Sequence, residues 1–145
     1  MASSVTIAPA DSPSRSRQLL GPVGVGLLGT GAAVCLALVS PHEPGSYLAC
    51  PLFALTGLYC AGCGTLRAVH ELTHLDIVGA WGMNPLLVVA LPFLVLWWFA
   101  WVRRAWAGET RRAPAPVWFV WAAFGVIVGY SVLRNVPALA PWLAP

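Results

Sequence analysis

Apolar positions fall into three long runs, separated by a stretch in which polar residues return at regular spacing. From Leu19 to Val39 no charged residue occurs, and about 21 helical residues cover roughly 30 Å, the thickness of a hydrocarbon core. A second run extends from about Pro85 to Val102, with Asn84 placed as an N-cap and Pro85 at the first helical position, where a missing N–H costs nothing. Trp97, Trp98 and Trp101, followed by Arg103 and Arg104, mark its far boundary. The third run, about Val117 to Leu133, begins after the helix-breaking Pro114 and Pro116. The pattern predicts an all-α membrane protein with three transmembrane helices over about 19–39, 85–102 and 117–133. Residues 1–18, rich in Ser, Pro and Ala and without periodicity, are expected to form a disordered cytoplasmic tail, which leaves 19–145 as the membrane domain. Arg15 and Arg17 before an apolar run also suit a signal peptide, but the run exceeds the usual h-region of about 7–15 residues, so an uncleaved anchor is expected.

Between the first two runs the period changes. From Thr65 to Leu75 the apolar residues Leu66, Val69, Leu72 and Leu75 recur at every third position opposite Arg67, His70, Glu71 and His74. This predicts an amphipathic surface helix with Arg67 and Glu71 paired at i and i+4. Asp76 is expected to N-cap a short turn through Ala80 and Trp81. Residues 47–59 are apolar but are broken by Pro51 and Gly57. At about 13 residues they are too short to cross a bilayer, and they predict a re-entrant or interfacial segment.

Composition supports lipid as the solvent: 59% hydrophobic and 9% charged lies outside the range of soluble domains. The net charge of +3 is therefore a topology signal and not a nucleic-acid one. Arg15 and Arg17 precede the first span, and Arg103, Arg104, Arg111 and Arg112 connect the last two, so both segments are expected inside. The long connection from about Ser40 to Asn84, and the C-terminus, are then expected outside. All basic residues are Arg, and Ala, Gly and Pro are abundant, which suits a GC-rich bacterial genome and hence a bacterial cell membrane. Gly125 and Gly129 form a GxxxG pair, and Gly29, Ala33 and Ala37 a similar stripe. Two readings stand: the stripes pack on each other, on a second copy or on a membrane partner, or glycines are simply common in membrane helices.

Three of the four cysteines and two of the three histidines lie between Cys50 and Asn84, while Cys35 stands apart in the first span. The order Cys50-Pro51, Thr56-Gly57, Cys60-Ala61-Gly62-Cys63-Gly64, Arg67, Asp76, Ala80, Asn84-Pro85 resembles the bacterial membrane family known as domain of unknown function 2752. The resemblance covers about residues 50–85, and the ending Arg134-Asn135-Val136-Pro137 is also similar to that family. Ala61 and Leu66 depart from the family pattern, which usually has Pro after the first Cys of the pair and Thr before the Arg. The resemblance implies a multi-span membrane protein and brings no established activity.

Three chemistries remain open for this segment. Cys60 and Cys63 form a disulfide or redox pair, with Cys50 as a third partner for exchange. Alternatively Cys60, Cys63, His70 and His74 hold zinc, since His70-Glu71-x-x-His74 has the spacing of two imidazole ligands with a carboxylate base. In the third reading the cysteines brace a hairpin, and Arg67, Asp76, Asn84, Arg134 and Asn135 serve as interaction or ligand residues. The leading expectation is an accessory or interaction protein without a cofactor, carrying an outward Cys-x-x-Cys segment. The alternative is a membrane-bound metal- or thiol-dependent enzyme.

Overall fold

A computed structural model describes residues 14–43, 47, 50–109 and 115–145. Of the described residues 75% are helical, with no strand among them. The helices are α1 (Arg15–Leu38), α2 (Pro51–Thr56), α3 (Thr65–Thr73), α4 (Ile77–Met83), α5 (Pro85–Ala107), α6 (Val117–Arg134) and α7 (Ala140–Leu143). α1, α5 and α6 are long and apolar enough to cross a membrane, and the protein is an all-α membrane protein.

The long helices overrun the apolar stretches that predict them. α1 begins at Arg15, so residues 15–18 form its first turn instead of joining the tail, and the Gln18 N–H donates to Ser14 O at 3.2 Å. α5 continues past Val102 to Ala107 and carries Arg104 in its last turn, where a cation faces the negative end of the helix dipole. Backbone hydrogen bonding does not stop where hydrophobicity does, because a helix satisfies its own donors on either side of the lipid boundary. Residues 1–13 of the expected tail, together with Arg111, Arg112 and Pro114, lie outside the described residues.

α1 and α5 pack side by side, and the contact is made by glycine against tryptophan. A Cβ at Gly26 would lie 2.6 Å from the Trp98 ring, and one at Gly21 would lie 3.0 Å from Trp101. The Trp98 Nε1–H donates to Pro22 O at 2.9 Å, which ties the indole across the contact. Trp98 and Trp101, expected only to mark the lipid boundary, thus hold two helices together. The expected pairing of Gly29 with Gly125 and Gly129 is not made within the chain: all three face open space, and α1 and α6 form no packed interface. Within the most apolar windows of α1, α5 and α6 only 11%, 6% and 6% is buried, so these helices keep most of their apolar surface for lipid.

The C-terminal end of α1, the N-terminal end of α5 and the C-terminal end of α6 lie on one side, and α2, α3, α4 and α7 gather over them. α2 has six residues, about 9 Å of rise, so residues 51–56 make no crossing. α3 docks through Ala68, which is fully buried, with His70 and Glu71 half-buried, whereas Leu66 and Leu75 are exposed. The polar side faces α1 for a physical reason: His70 Nδ1 lies 2.6 Å from Leu36 O, one of the carbonyls a helix end leaves without an internal partner.

Gly26→Val should displace Trp98 and lower stability by about 1–3 kcal/mol through overpacking. Gly29→Val, in open space, should change it by less than about 0.5 kcal/mol. Thermal unfolding in detergent reads both, and equal losses would contradict the glycine–tryptophan contact.

Candidate functional site

The segment from Cys50 to Asn84 folds by local rules. Cys50 precedes Pro51 at the first position of α2, and Gly57, at φ 72°, ends that helix in the left-handed region. Thr56 Oγ1–H donates to Leu52 O at 2.7 Å and accepts from the Leu58 N–H at 3.2 Å, closing the turn that brings Tyr59 back against Phe53. Those two rings stack with centroids 4.7 Å apart. Cys60 to Cys63 then make a tight turn, with the Cys63 N–H on Cys60 O at 3.1 Å. Gly64 is required twice over: its φ is +78°, and a Cβ there would stand 2.4 Å from Met83 O.

This path brings three thiols together. Cys60 Sγ lies 3.4 Å from Cys50 Sγ and 3.4 Å from Cys63 Sγ, and all three sulfurs lie within 4.8 Å of one another. All are free thiols. They differ in environment: Cys63 is buried, while Cys50 and Cys60 are half-buried. Hydrogen bonding from the Phe53 backbone N–H, then from Cys60, draws the Cys50 thiol down to about 7. Burial pushes the Cys63 thiol up to about 11. One half-buried, readily ionised sulfur and one buried, protonated sulfur thus flank Cys60.

Behind the thiols sits Arg134, fully buried at the last turn of α6. Its Nη1 donates to Cys60 O at 2.9 Å and Cys63 O at 2.8 Å, its Nη2 to Met83 O at 3.1 Å, and its Nε to Leu143 O at 2.7 Å. The guanidinium also lies 5.2 Å from the Tyr130 ring centroid and 6.0 Å from that of Tyr59. No carboxylate of the described residues is within ion-pair distance. The charge is therefore solvated by carbonyl dipoles and aromatic faces, without a counter-ion.

Two asparagines complete the frame. Asn84, 1% exposed, accepts from the Leu87 N–H at 3.1 Å as the N-cap of α5 and from the Tyr130 hydroxyl at 3.3 Å. Its amide donates to Ala61 O at 2.9 Å and to Thr65 Oγ1 at 3.1 Å. Asn135 accepts from the Tyr59 N–H at 2.9 Å and donates to Tyr59 O at 2.8 Å, like an added strand residue. Arg134 and Asn84, expected as interaction or ligand residues, both bond carbonyls of the thiol-bearing turn, and Asn135, expected likewise, bonds Tyr59 just before it.

The other expected residues lie elsewhere. Arg67 does not pair with Glu71: its Nε donates to Pro41 O at 3.4 Å, and Glu71 takes His42 at 2.8 Å. Glu71, itself half-buried, thus takes its partner from the turn after α1 instead of from its own helix. Asp76 caps α4 by accepting from the Gly79 N–H at 2.8 Å. The rings of His70 and His74 lie 4.4 Å apart at a 47° tilt, and both turn Nδ1 to backbone carbonyls, Leu36 O and His70 O. They do not join the thiols, whose third member is Cys50. Tyr59 and Tyr130 are site residues that sequence reasoning missed. The available signal was Tyr130 one helical turn before Arg134.

Residues 50–98 match the DUF2752 family model, described as a protein of unknown function. The motif order had pointed to the same family. Comparison with curated proteins and with solved structures gives no match. The DUF2752 segment takes in the thiol centre, α2 to α4 and the first half of α5, and Arg134 reaches it from outside the matched residues.

Arg134→Lys and Arg134→Met should each cost about 3–5 kcal/mol, because neither side chain replaces a planar fork on four buried carbonyls. Arg67→Ala should stay within about 0.5 kcal/mol. Detergent melting curves check this; a stable Arg134→Met protein would show that the carbonyls find other donors.

Proposed function

We propose that this protein is a small membrane thiol–disulfide exchange protein, with its three-thiol centre at the outer face of a bacterial cell membrane. The observation that carries the reading is the position of Cys60, 3.4 Å from each of two other thiols. Whichever neighbour it bonds, the third cysteine is left within reach. From a Cys60–Cys63 disulfide, the Cys50 thiolate attacks Cys60 Sγ and a Cys50–Cys60 bond forms. The Cys60–Cys63 bond breaks, and Cys63 leaves with the electron pair and takes up a proton in its buried position. The exchange moves a disulfide from the buried turn to the accessible edge, where a partner thiol can meet it. Arginine distribution supports the cytoplasmic N-terminus and the outward C-terminus. It also supports the outward placement of the centre, since the loop holding it contains Arg67 as its single basic residue.

A second reading is favoured by the same triangle together with the uncompensated Arg134. Three thiolates on a zinc ion carry one net negative charge, which a neighbouring guanidinium offsets, and the fourth coordination position would stay open.

Mild oxidation followed by peptide mapping separates these ideas. In the exchange reading Cys50→Ser retains a Cys60–Cys63 disulfide, Cys63→Ser retains Cys50–Cys60, and Cys60→Ser gives neither. Stoichiometric zinc in the purified protein, lost in Cys60→Ser, would replace exchange with metal binding. Alkylation of Cys50 should accelerate as pH rises through about 7, its thiolate fraction growing, whereas Cys63 stays slow until far higher pH. Equal rates for the two would remove the basis for direction. A cytoplasmic signal from a C-terminal reporter fusion would overturn the outward placement.

A further inference from the structure

Resting on the exchange reading, we propose that the electron acceptor of the thiol centre is a lipid-soluble quinone bound in the cleft beside Cys50 and Cys63. That cleft has a volume of about 460 Å³ and is lined by Cys50, Cys63, Phe53, Tyr59, Leu66 and Arg67, among others. Its size falls in the range of about 300–1,000 Å³ typical of small-molecule sites.

Three features select the chemical class. First, the walls are flat: Phe53 and Tyr59 stack at 4.7 Å with a 27° angle between their planes, and present aromatic surface to a planar ring. Second, the approach is apolar. Phe53 and Leu66 of its lining are exposed, as are Leu52, Leu55 and Leu58 in and just after α2, whose Phe53 it shares. A molecule dissolved in the bilayer reaches such a mouth by lateral diffusion, whereas a hydrated oxidant meets a greasy rim. Third, Arg67 stands in the lining with its Nε on Pro41 O and its terminal nitrogens without a hydrogen bond to the described residues. Those N–H groups suit a carbonyl oxygen that gains negative charge on reduction.

The step balances. The thiols of Cys50 and Cys60 lose two protons and two electrons, and one S–S bond forms between sulfurs that start 3.4 Å apart. The quinone takes both electrons and both protons and leaves as the quinol. A partner dithiol then returns the centre to its reduced form by exchange, its own disulfide being the product.

The test uses the full chain, purified in detergent and fully reduced, with a short-tailed benzoquinone whose ring is fully substituted, so that thiol arylation does not compete. Quinone absorbance and the protein thiol count are followed together, and diamide serves as a water-soluble oxidant in parallel. Expected are one quinol per Cys50–Cys60 disulfide and a rate at least tenfold lower at limiting quinone in Arg67→Met, with diamide oxidation of that variant unchanged. If diamide forms the disulfide and the quinone does not, or if Arg67→Met reacts with quinone like the parent, the quinone site is wrong while exchange stands. If neither oxidant forms a disulfide among the three cysteines, the exchange reading itself fails.

Discussion

A single buried cation organises this protein. Arg134 has no accessible surface, donates to four backbone carbonyls and meets no carboxylate among the described residues. A buried charge is tolerable only when its hydrogen bonds are filled, and the guanidinium fork fills them with four carbonyls from three places: two in the cysteine turn, one at the end of α4 and one in α7. The C-terminal turn of α6 is thereby fastened to elements that share little apolar contact with it. Asn84 and Asn135 act alongside, each binding backbone groups that a turn without regular secondary structure would leave exposed.

The arrangement of the thiols is a consequence of that fastening. A turn of Cys60 to Cys63 held by its own carbonyls cannot drift, and Gly64, fitted against Met83 O, fixes where α3 departs. Cys50 is delivered separately, by a short helix whose return is closed by Thr56 and Gly57. The environments of the three sulfurs then follow from depth. The innermost is desolvated and stays protonated, the outermost is bathed in helix-start N–H groups and ionises, and the middle one touches both. Positive charge held behind the cluster by carbonyls, instead of being neutralised by an acid, leaves its field available to thiolates in either the exchange or the metal reading.

The membrane part obeys a different logic. Its helices hide little from one another because lipid is as apolar as their side chains, so close approach must come from shape. Gly21 and Gly26 supply the hollows and Trp101 and Trp98 the fillings, with one indole N–H finding a carbonyl in a medium that offers few. The GxxxG pair of α6 has the same composition but faces open space.

Much of this was legible along the chain. Span number, the capping of α5 by Asn84 and Pro85, the turn glycines and the family resemblance are properties of short windows, fixed by hydrophobic length and by residues whose backbone preferences act locally. Cys50 was legible as a partner for Cys60 and Cys63 only as one option among several. The pairing of glycines with tryptophans, the turning of His70 and Glu71 toward α1 and the role of Arg134 were not legible, and the reason is specific. Arg134 is held by backbone carbonyls up to 74 positions away, and a carbonyl is the same group on every residue. The sequence by itself determined which segments enter lipid and which cysteines were available; only the tertiary structure decided which carbonyls would surround the buried charge, and hence which sulfurs would meet.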